Sequence, residues 1–323
     1  MTKPKIKLTM TNRATLVKSE LMTVQKTKIY YVDGHFVEAD KAVIPVDDLA
    51  ILRGLGVCDL MRTLGGVPYF LDEHILRIES SARKIGLILP WSGETIKQIV
   101  LETLERNPGM DESNIRVIIT GGSSTDFMTP QGSPRLIVMV TKIPRIPDFW
   151  YSQGVKVITT LSERSIPGAK SISYIAATLA LKKAREQGAM EALLVDRNGY
   201  IPEGTTSNLF AFIGNTLVTA ATGVLEGITR KVVLSLAQKM FPIEFRTLHK
   251  DELLKAGEVF ISGTNKGIVP VVQINDTILG NGRPGKNTLS IIKALADQQS
   301  GFKQSEDGRS DILSTNPMPK SSS

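Results

Sequence analysis

The sequence predicts a two-domain protein of mixed α/β class (α+β within each half). Its 323 residues are enough for roughly two domains. Strand-like runs alternate with stripes of helical period along most of the chain. One aperiodic stretch, Ile143 to Trp150, carries Pro144 and Pro147 and divides the pattern in two. The expected organisation is a small α/β domain over 28–142, a linker over 143–152 and a larger domain over 153–298. Residues 1–27 are expected to be a flexible basic extension, and 299–323 a disordered polar tail.

In the first half, Lys28–Val32 and His35–Val37 flank Asp33-Gly34, the signal of a type I′ hairpin. Leu71 to Ile85 reads as a helix, with Ile75, Ile78, Ala82 and Ile85 on one stripe. Ser92 to Glu105 reads as a second helix, and Ile115–Thr120 and Arg135–Lys142 as strands. The second half opens with a strand, Val155–Thr160, and a loop from Arg164 to Lys170. A helix is expected from Ser171 to Gln187, with Ile172, Ile175, Ala176, Leu179 and Ala180 on one face and Gly188 as its stop. Two hairpins follow. Ala192–Asp196 turns at Asn198-Gly199, and Asn208–Ile213 turns at Gly214-Asn215 into Thr216–Thr219. A helix beginning near Thr229 carries Val232, Val233, Leu236 and Met240 on one face. Val259–Ser262 is a short strand and Thr288–Ala296 a last helix.

Composition excludes several classes. At 41% hydrophobic and 22% charged residues, the chain is neither disordered nor collagen-like. Cys58 is the one cysteine, so no intrachain disulfide forms, and a reducing, cytoplasmic setting is expected. His35, His74 and His249 lie far apart without cysteine partners, so no metal site is expected. No apolar run approaches the ~20 residues of a membrane span. The formal charge of +7 would suggest a nucleic-acid partner, but its location argues otherwise. Residues 1–28 hold seven Lys and Arg against Glu20, whereas 29–298 net +1. The basicity belongs to an extension, for which a transit peptide or a start at Met22 are the other readings.

Four features in the second half carry chemistry. Gly168-Ala169-Lys170-Ser171 places a lysine between a loop and an apolar helix. Tyr200-Ile-Pro-Glu203-Gly-Thr-Thr-Ser-Asn208-Leu-Phe holds a glutamate between a turn and an apolar strand, and a carboxylate buried there needs a partner. Leu225-Glu226-Gly227-Ile228-Thr229-Arg230 opens a helix. Its free N–H groups and dipole make an anion site, unless Thr229 simply caps the helix. Ile261-Ser-Gly263-Thr264-Asn265-Lys266-Gly267 is a hydroxyl- and glycine-rich turn after a strand.

Together and in this order, these motifs resemble those of the class IV (fold-type IV) pyridoxal-phosphate aminotransferases. That family includes branched-chain and D-amino-acid aminotransferases and aminodeoxychorismate lyases. The resemblance runs from about Ile29 to Ala296. It implies a small N-terminal α/β domain and a larger C-terminal domain, with pyridoxal 5′-phosphate between them, in a homodimer. It implies Lys170 as the catalytic, cofactor-bearing lysine and Glu203 as the partner of the pyridine nitrogen. Arg77, in His74-Ile-Leu-Arg-Ile, would bind the phosphate with Ile228, Thr229 and Thr264. Tyr174, four residues after Lys170, stands near the position of a cofactor-contacting tyrosine; helix packing is its other reading.

The resemblance loosens at the substrate side. Cys58 replaces an aromatic residue before the acid Asp59, and Thr120-Gly-Gly-Ser-Ser-Thr-Asp126 lacks a carboxylate-clamping arginine. Arg53, Arg62 and Asn265 are the candidates for binding substrate. The expected function is transamination between an amino acid, L-branched-chain or D, and a 2-keto acid, with no nucleic-acid or membrane partner. Lyase-type elimination on the same lysine is the rival within the fold. A basic nucleic-acid-binding protein and a cofactor-less relative are the readings from other classes.

Overall fold

The structure, a computed structural model, describes residues 27–304. The expected extension before residue 27 and the tail beyond 304 lie outside the described residues.

The first sheet has six strands: β1 (Ile29–Val32), β2 (His35–Glu38), β3 (Gly56–Leu64), β4 (Val67–Pro68), β5 (Ser113–Thr120) and β6 (Leu136–Lys142). It is antiparallel throughout, in the order β2-β1-β6-β5-β3-β4. The Asp33-Gly34 turn has positive φ at both residues, as the type I′ hairpin requires. A short helix, α1 (Leu49–Arg53), precedes β3. The helices α2 (Leu71–Lys84) and α3 (Gly93–Glu105) cover one face of the sheet. Ser92 caps α3, accepting from the Thr95 N–H at 3.1 Å. Strand periodicity separates the two faces. Ile115, Val117 and Ile119 of β5 and Val57 and Met61 of β3 pack under Ile75, Ile78, Ile96 and Val100. The alternate residues, Cys58 and Leu60 of β3 and Arg116 and Ile118 of β5, line a cavity instead.

After a short helix, α4 (Phe149–Ser152), inside the expected linker, the second unit contains β7 (Val155–Leu161), α5 (Ile175–Glu186), β8 (Glu191–Val195), β9 (Tyr200–Ile201), β10 (Asn208–Ile213) and β11 (Thr216–Thr219). It continues with α6 (Ile228–Ala237), β12 (Ile243–Phe245), β13 (Leu248–His249), α7 (Lys250–Leu253), β14 (Glu258–Gly263), β15 (Gly267–Ile274), β16 (Thr277–Ile278) and α8 (Lys286–Gln304). Its mixed sheet runs β12-β11-β10-β14-β15-β7-β8, with β16 paired to β15. Phe210 and Phe260 stack face to face at 4.7 Å and pack with Phe212 beneath α6 and α8. The opposite face holds Leu209, Ala211, Ile261 and Val269 with Leu253.

Several expectations change. The helix expected from Ser171 starts at Ile175, because the backbone before it is engaged elsewhere. Ser171 bridges Val57, Cys58 N donates to Lys170 O at 2.9 Å and Ile172 N to Gly56 O at 3.0 Å. A Cβ on Gly56 would lie 2.7 Å from Ile119 O and 2.9 Å from Ile172, so only glycine lets the two units approach here. Of the expected α5 face, Ala180 is buried, but Ile175 and Leu179 are exposed. Helix α6 ends at Ala237, which leaves Met240 past its end and exposed. Strands β3 and β15 go beyond the sequence pattern. β3 is buried on both faces and lacks alternation, and β15 contains Pro270, which argues against a central strand. The β7 ladder begins only at Val271, past that proline.

Helix α8 runs on to Gln304, so residues 299–304 are helical and not part of a disordered tail. Phe302 is 4% exposed and meets the Tyr69 ring edge-on at 4.9 Å, tying the end of α8 to the first unit. Phe302→Ala is expected to lower unfolding stability by about 3–5 kcal/mol, read from the urea midpoint at unchanged m-value.

Candidate active site

A cavity of about 460 Å³ opens between the two sheets, within the range of small-molecule sites. Its floor is Lys170. The backbone of that residue is fixed three ways: Lys170 O by Cys58 N, Lys170 N by Ser81 Oγ at 3.1 Å, and the next residue by its bridge to β3. Only the side chain is left to act. Lys170 Nζ donates to Tyr174 Oη at 2.9 Å, which gives the expected tyrosine a contact with the lysine rather than a packing role. Burial opposes the ammonium form, but Tyr174, Cys58 and Asp59 outweigh it and raise the Lys170 pKa.

Asp59, on β3, is fully buried and accepts a fork from Arg77 of α2, at 2.8 Å from Nε and 2.7 Å from Nη2. His74 Nδ1 lies 2.7 Å from the same carboxylate. Burial would raise the Asp59 carboxyl, but Arg77 and His74 hold it well below the usual range. Burial lowers the His74 imidazole despite the opposing pull of Asp59. Arg77 lines the cavity with Nη1 directed at Glu226 O, 3.3 Å away.

Glu203 is gripped between strands: its carbonyl accepts from Leu194 N at 2.9 Å, and it bridges Asn208. Its Oε2 accepts from Leu225 N at 3.1 Å, and Oε1 lies 2.6 Å from Arg164 Nε without hydrogen-bond alignment. Burial raises its pKa to about 7 against the opposing pull of Arg164 and Lys170. At the far wall, α6 starts at Gly227 with no side-chain cap, so Thr229 lies within the first turn rather than capping it. A Cβ on Gly227 would come within 2.2 Å of Asn208 Oδ1. Thr264 and Asn265, on the turn from β14 to β15, complete the wall with Lys266. Lys266 is paired with the buried Glu191, which also accepts from Thr206 N at 2.7 Å and Ser207 Oγ at 2.8 Å.

The cavity therefore brings together Lys170, Arg77, Tyr174, Glu203, Ile228, Thr229, Thr264 and Asn265. Arg53 and Arg62 do not join them. Arg53 is exposed at the end of α1, bonded to its neighbour's carbonyl, and Arg62 lies further along β3 beside Thr63 O. Arg116, which the sequence reading did not single out, is the arginine of the first sheet that lines the cavity. Among the described residues, its side chain has no hydrogen bond or ion pair. The strand pattern of Ile115, Val117 and Ile119 marks Arg116 as facing away from the core. Which element it faces is set by the pairing Leu60↔Arg116.

The family of class IV amino-transferases matches residues 56–274, more than half of the chain. The chain belongs to the class IV aminotransferases. It is 33% identical over 278 residues to a Methanocaldococcus jannaschii protein named "Putative branched-chain-amino-acid aminotransferase", covering 83% of this chain and 95% of that one. It is 31% identical over 267 residues to the D-alanine aminotransferase of Bacillus licheniformis, covering 81% and 94%. The branched-chain amino acid aminotransferase from Escherichia coli superposes with a TM-score of 0.78 at 26% identity, covering 87% of this chain and 97% of that one. The T.th. branched-chain amino acid aminotransferase, solved with pyridoxamine 5′-phosphate, gives 0.79 at 26%, covering 85% and 95%. This class IV aminotransferase is thus a mixed α/β, fold-type IV enzyme that uses pyridoxal 5′-phosphate.

The cavity fits that cofactor. Buried Glu203 Oε1, Ser262 Oγ and Asn265 Oδ1 lack hydrogen-bond partners among the described residues, and the uncapped α6 terminus and Arg77 offer anion donors. Among the described residues no three His, Cys, Asp or Glu side chains cluster as metal ligands.

In the cofactor-free protein Glu203 binds its proton more tightly folded, near 7, than unfolded, near 4.5. Its share of stability is present below pH 4.5 and is lost as pH rises to 7. The expected loss across that window is about 3 kcal/mol. Denaturant midpoints at pH 5 and 7.5 should show it in the wild type, with a flatter difference in Glu203→Gln.

Proposed function

We propose that Lys170 is the catalytic base of a transamination between an apolar amino acid and a 2-keto acid. The observation that carries this is the Lys170 amine itself. It is half-buried on the cavity floor, hydrogen-bonded to Tyr174 and within the field of Asp59. When bound, the cofactor supplies the carbon that receives the amino group and the ring that takes up the electrons released at the substrate Cα. Lys170 Nζ then moves the proton from that Cα, and Tyr174 Oη holds the amine in place between transfers. Glu203 would hold the ring nitrogen and keep a proton on it. Arg77, Ile228, Thr229 and Thr264 would hold the phosphate, Arg77 through Nη1, which now makes a long 3.3 Å bond to Glu226 O and lies outside the fork to Asp59.

Arg116 is assigned to the substrate carboxylate, because every other cation lining the cavity has a polar or acidic partner: Arg77 with Asp59, Arg164 with Glu203, Lys266 with Glu191 and Lys170 with Tyr174. Asn265 adds a polar contact. Cys58, Leu60, Ile118 and Ile172 give the wall beside Arg116 an apolar character suited to a hydrocarbon side chain. Relatives named for branched-chain substrates and for D-alanine both support an amino-acid donor. A reducing, cytoplasmic compartment agrees with the single cysteine.

Lys170→Ala should lose both the visible absorbance of the bound cofactor and all turnover. Arg116→Gln should keep that absorbance while raising KM for donor and acceptor roughly 10–100-fold. Single-turnover spectra with L- and D-leucine fix the stereochemistry. An unchanged spectrum with either donor, or pyruvate release without a keto-acid acceptor, sinks the transamination reading.

The chain is further proposed to act as a homodimer. Ile51 and Leu52 of α1, Phe127 and Met128 of the loop between β5 and β6, and Ile175 and Leu179 of α5 expose apolar side chains that a second copy would cover. Sedimentation equilibrium should give a dimer for the wild type and a monomer for Ile175→Asp/Leu179→Asp.

A further inference from the structure

Behind Glu203 lies a second cavity, of about 500 Å³. It is lined by Ser162, Pro167, Leu194, Tyr200 and Thr222 among others, and it shares two residues with the catalytic cavity: Arg164 and Glu203. The carboxylate of Glu203 is therefore part of a partition between two spaces, and Arg164 is the other part. Arg164 comes from the loop after β7 and is anchored by a bond from Nη2 to Thr205 O at 3.1 Å. Its Nε lies 2.6 Å from Glu203 Oε1. The two atoms touch as charges, yet neither has an aligned hydrogen bond, and both are buried. The Glu203 carboxylate has one well-made bond, from Leu225 N to Oε2. A carboxylate with a single well-made hydrogen bond and 2% exposure, on a residue that lines both cavities, has little else to fix its charge or direction.

We propose that Arg164 is a positioning residue for the transamination: its guanidinium spans the partition between the two cavities and fixes Glu203 as the anion that faces the catalytic one. This rests on the reading of Glu203 as the partner of the cofactor ring nitrogen. Removing Arg164 leaves a buried carboxylate whose stable form is neutral, and a neutral carboxyl no longer favours a proton on that nitrogen. The other charges that act on Glu203 are Lys170 and Arg230. Lys170 would be engaged by the cofactor when that is bound, and Arg230, which donates to Ala220 O at 2.6 Å, is not among the leading influences on Glu203. The pull of Arg164 on Glu203 is the larger one in the empty cavity as well.

The test uses full-length Arg164→Gln, Arg164→Lys, Glu203→Gln and Arg164→Gln/Glu203→Gln proteins. In the cofactor-free state, the Glu203 carboxyl is titrated by 13C NMR of labelled glutamate, assigned by its absence in Glu203→Gln. Its midpoint should rise by about 1–2 pH units in Arg164→Gln and return most of the way in Arg164→Lys. In the loaded state, pyridoxal 5′-phosphate affinity at pH 7.5 should fall about tenfold in Arg164→Gln. In the Glu203→Gln background the same substitution should change it less than about twofold. An unmoved midpoint in both Arg164 variants, or an equal loss of affinity in both backgrounds, overturns the proposal while leaving Glu203 in its role. If Glu203→Gln alone leaves affinity and turnover unchanged, the role of Glu203 fails and the proposal fails with it.

Discussion

Three carboxylates are buried at or just behind one cavity, and each is matched by a cation from another element of the chain. Asp59 takes the Arg77 fork, Glu203 faces Arg164, and Glu191 holds Lys266. Breaking such a pair by removing one partner costs about 3–5 kcal/mol, because the other charge is left unsolvated. This requirement orders the site. The Asp59–Arg77 pair joins β3 to α2 and leaves one nitrogen of Arg77 on the cavity. Glu191 gathers Thr205, Thr206 and Ser207 around it, which rigidifies the loop that follows Glu203. Lys170, proposed as the catalytic lysine, has a hydroxyl rather than an acid as its hydrogen-bond partner, which leaves its amine available for chemistry.

The cavity exists because two sheets meet along a short seam. The first sheet gives one face to α2 and α3 and turns the other, with Cys58, Leu60, Arg116 and Ile118, toward the second unit. The seam is made by backbone hydrogen bonds between residues 170–172 and 56–58, so the catalytic lysine belongs to both units at once. At the other end Phe302 of α8 packs on Tyr69 and Phe70. These contacts limit rigid-body motion of one unit on the other. A lysine fixed at its own N–H and carbonyl changes position only through its side-chain torsions, which suits a group that must reach two atoms in turn.

Family membership was legible because the cofactor side of the site is written in contiguous motifs. Lys170, Glu203, Ile228-Thr229 and Thr264 each lie where a loop meets a helix or strand, and local sequence is sufficient to mark such junctions. The hairpin at Asp33-Gly34 and the helices α2 and α3 were legible for the same reason, since turn chemistry and 3.6-residue periodicity are local. Strand β3 was not legible, because burial on both faces removes alternation. Nor was the start of α5, where propensity favoured helix from Ser171 but pairing with β3 holds the backbone extended.

The sequence by itself determined the class of the protein and marked Lys170, Glu203 and the Ile228-Thr229 helix start as the residues that its motifs would bring to a cofactor. Those depend on neighbours a few positions apart. Tertiary structure alone decided which cations line the cavity. Arg53, Arg62 and Arg116 are equivalent as letters, and only the register of β3 against β5 sets Arg116 across from Leu60 at the cavity while Arg62 falls further along the strand. Tertiary structure alone also showed that Arg164 reaches Glu203, far along the chain from it. Both outcomes come from burial of charge, a property of position in three dimensions that no local pattern encodes.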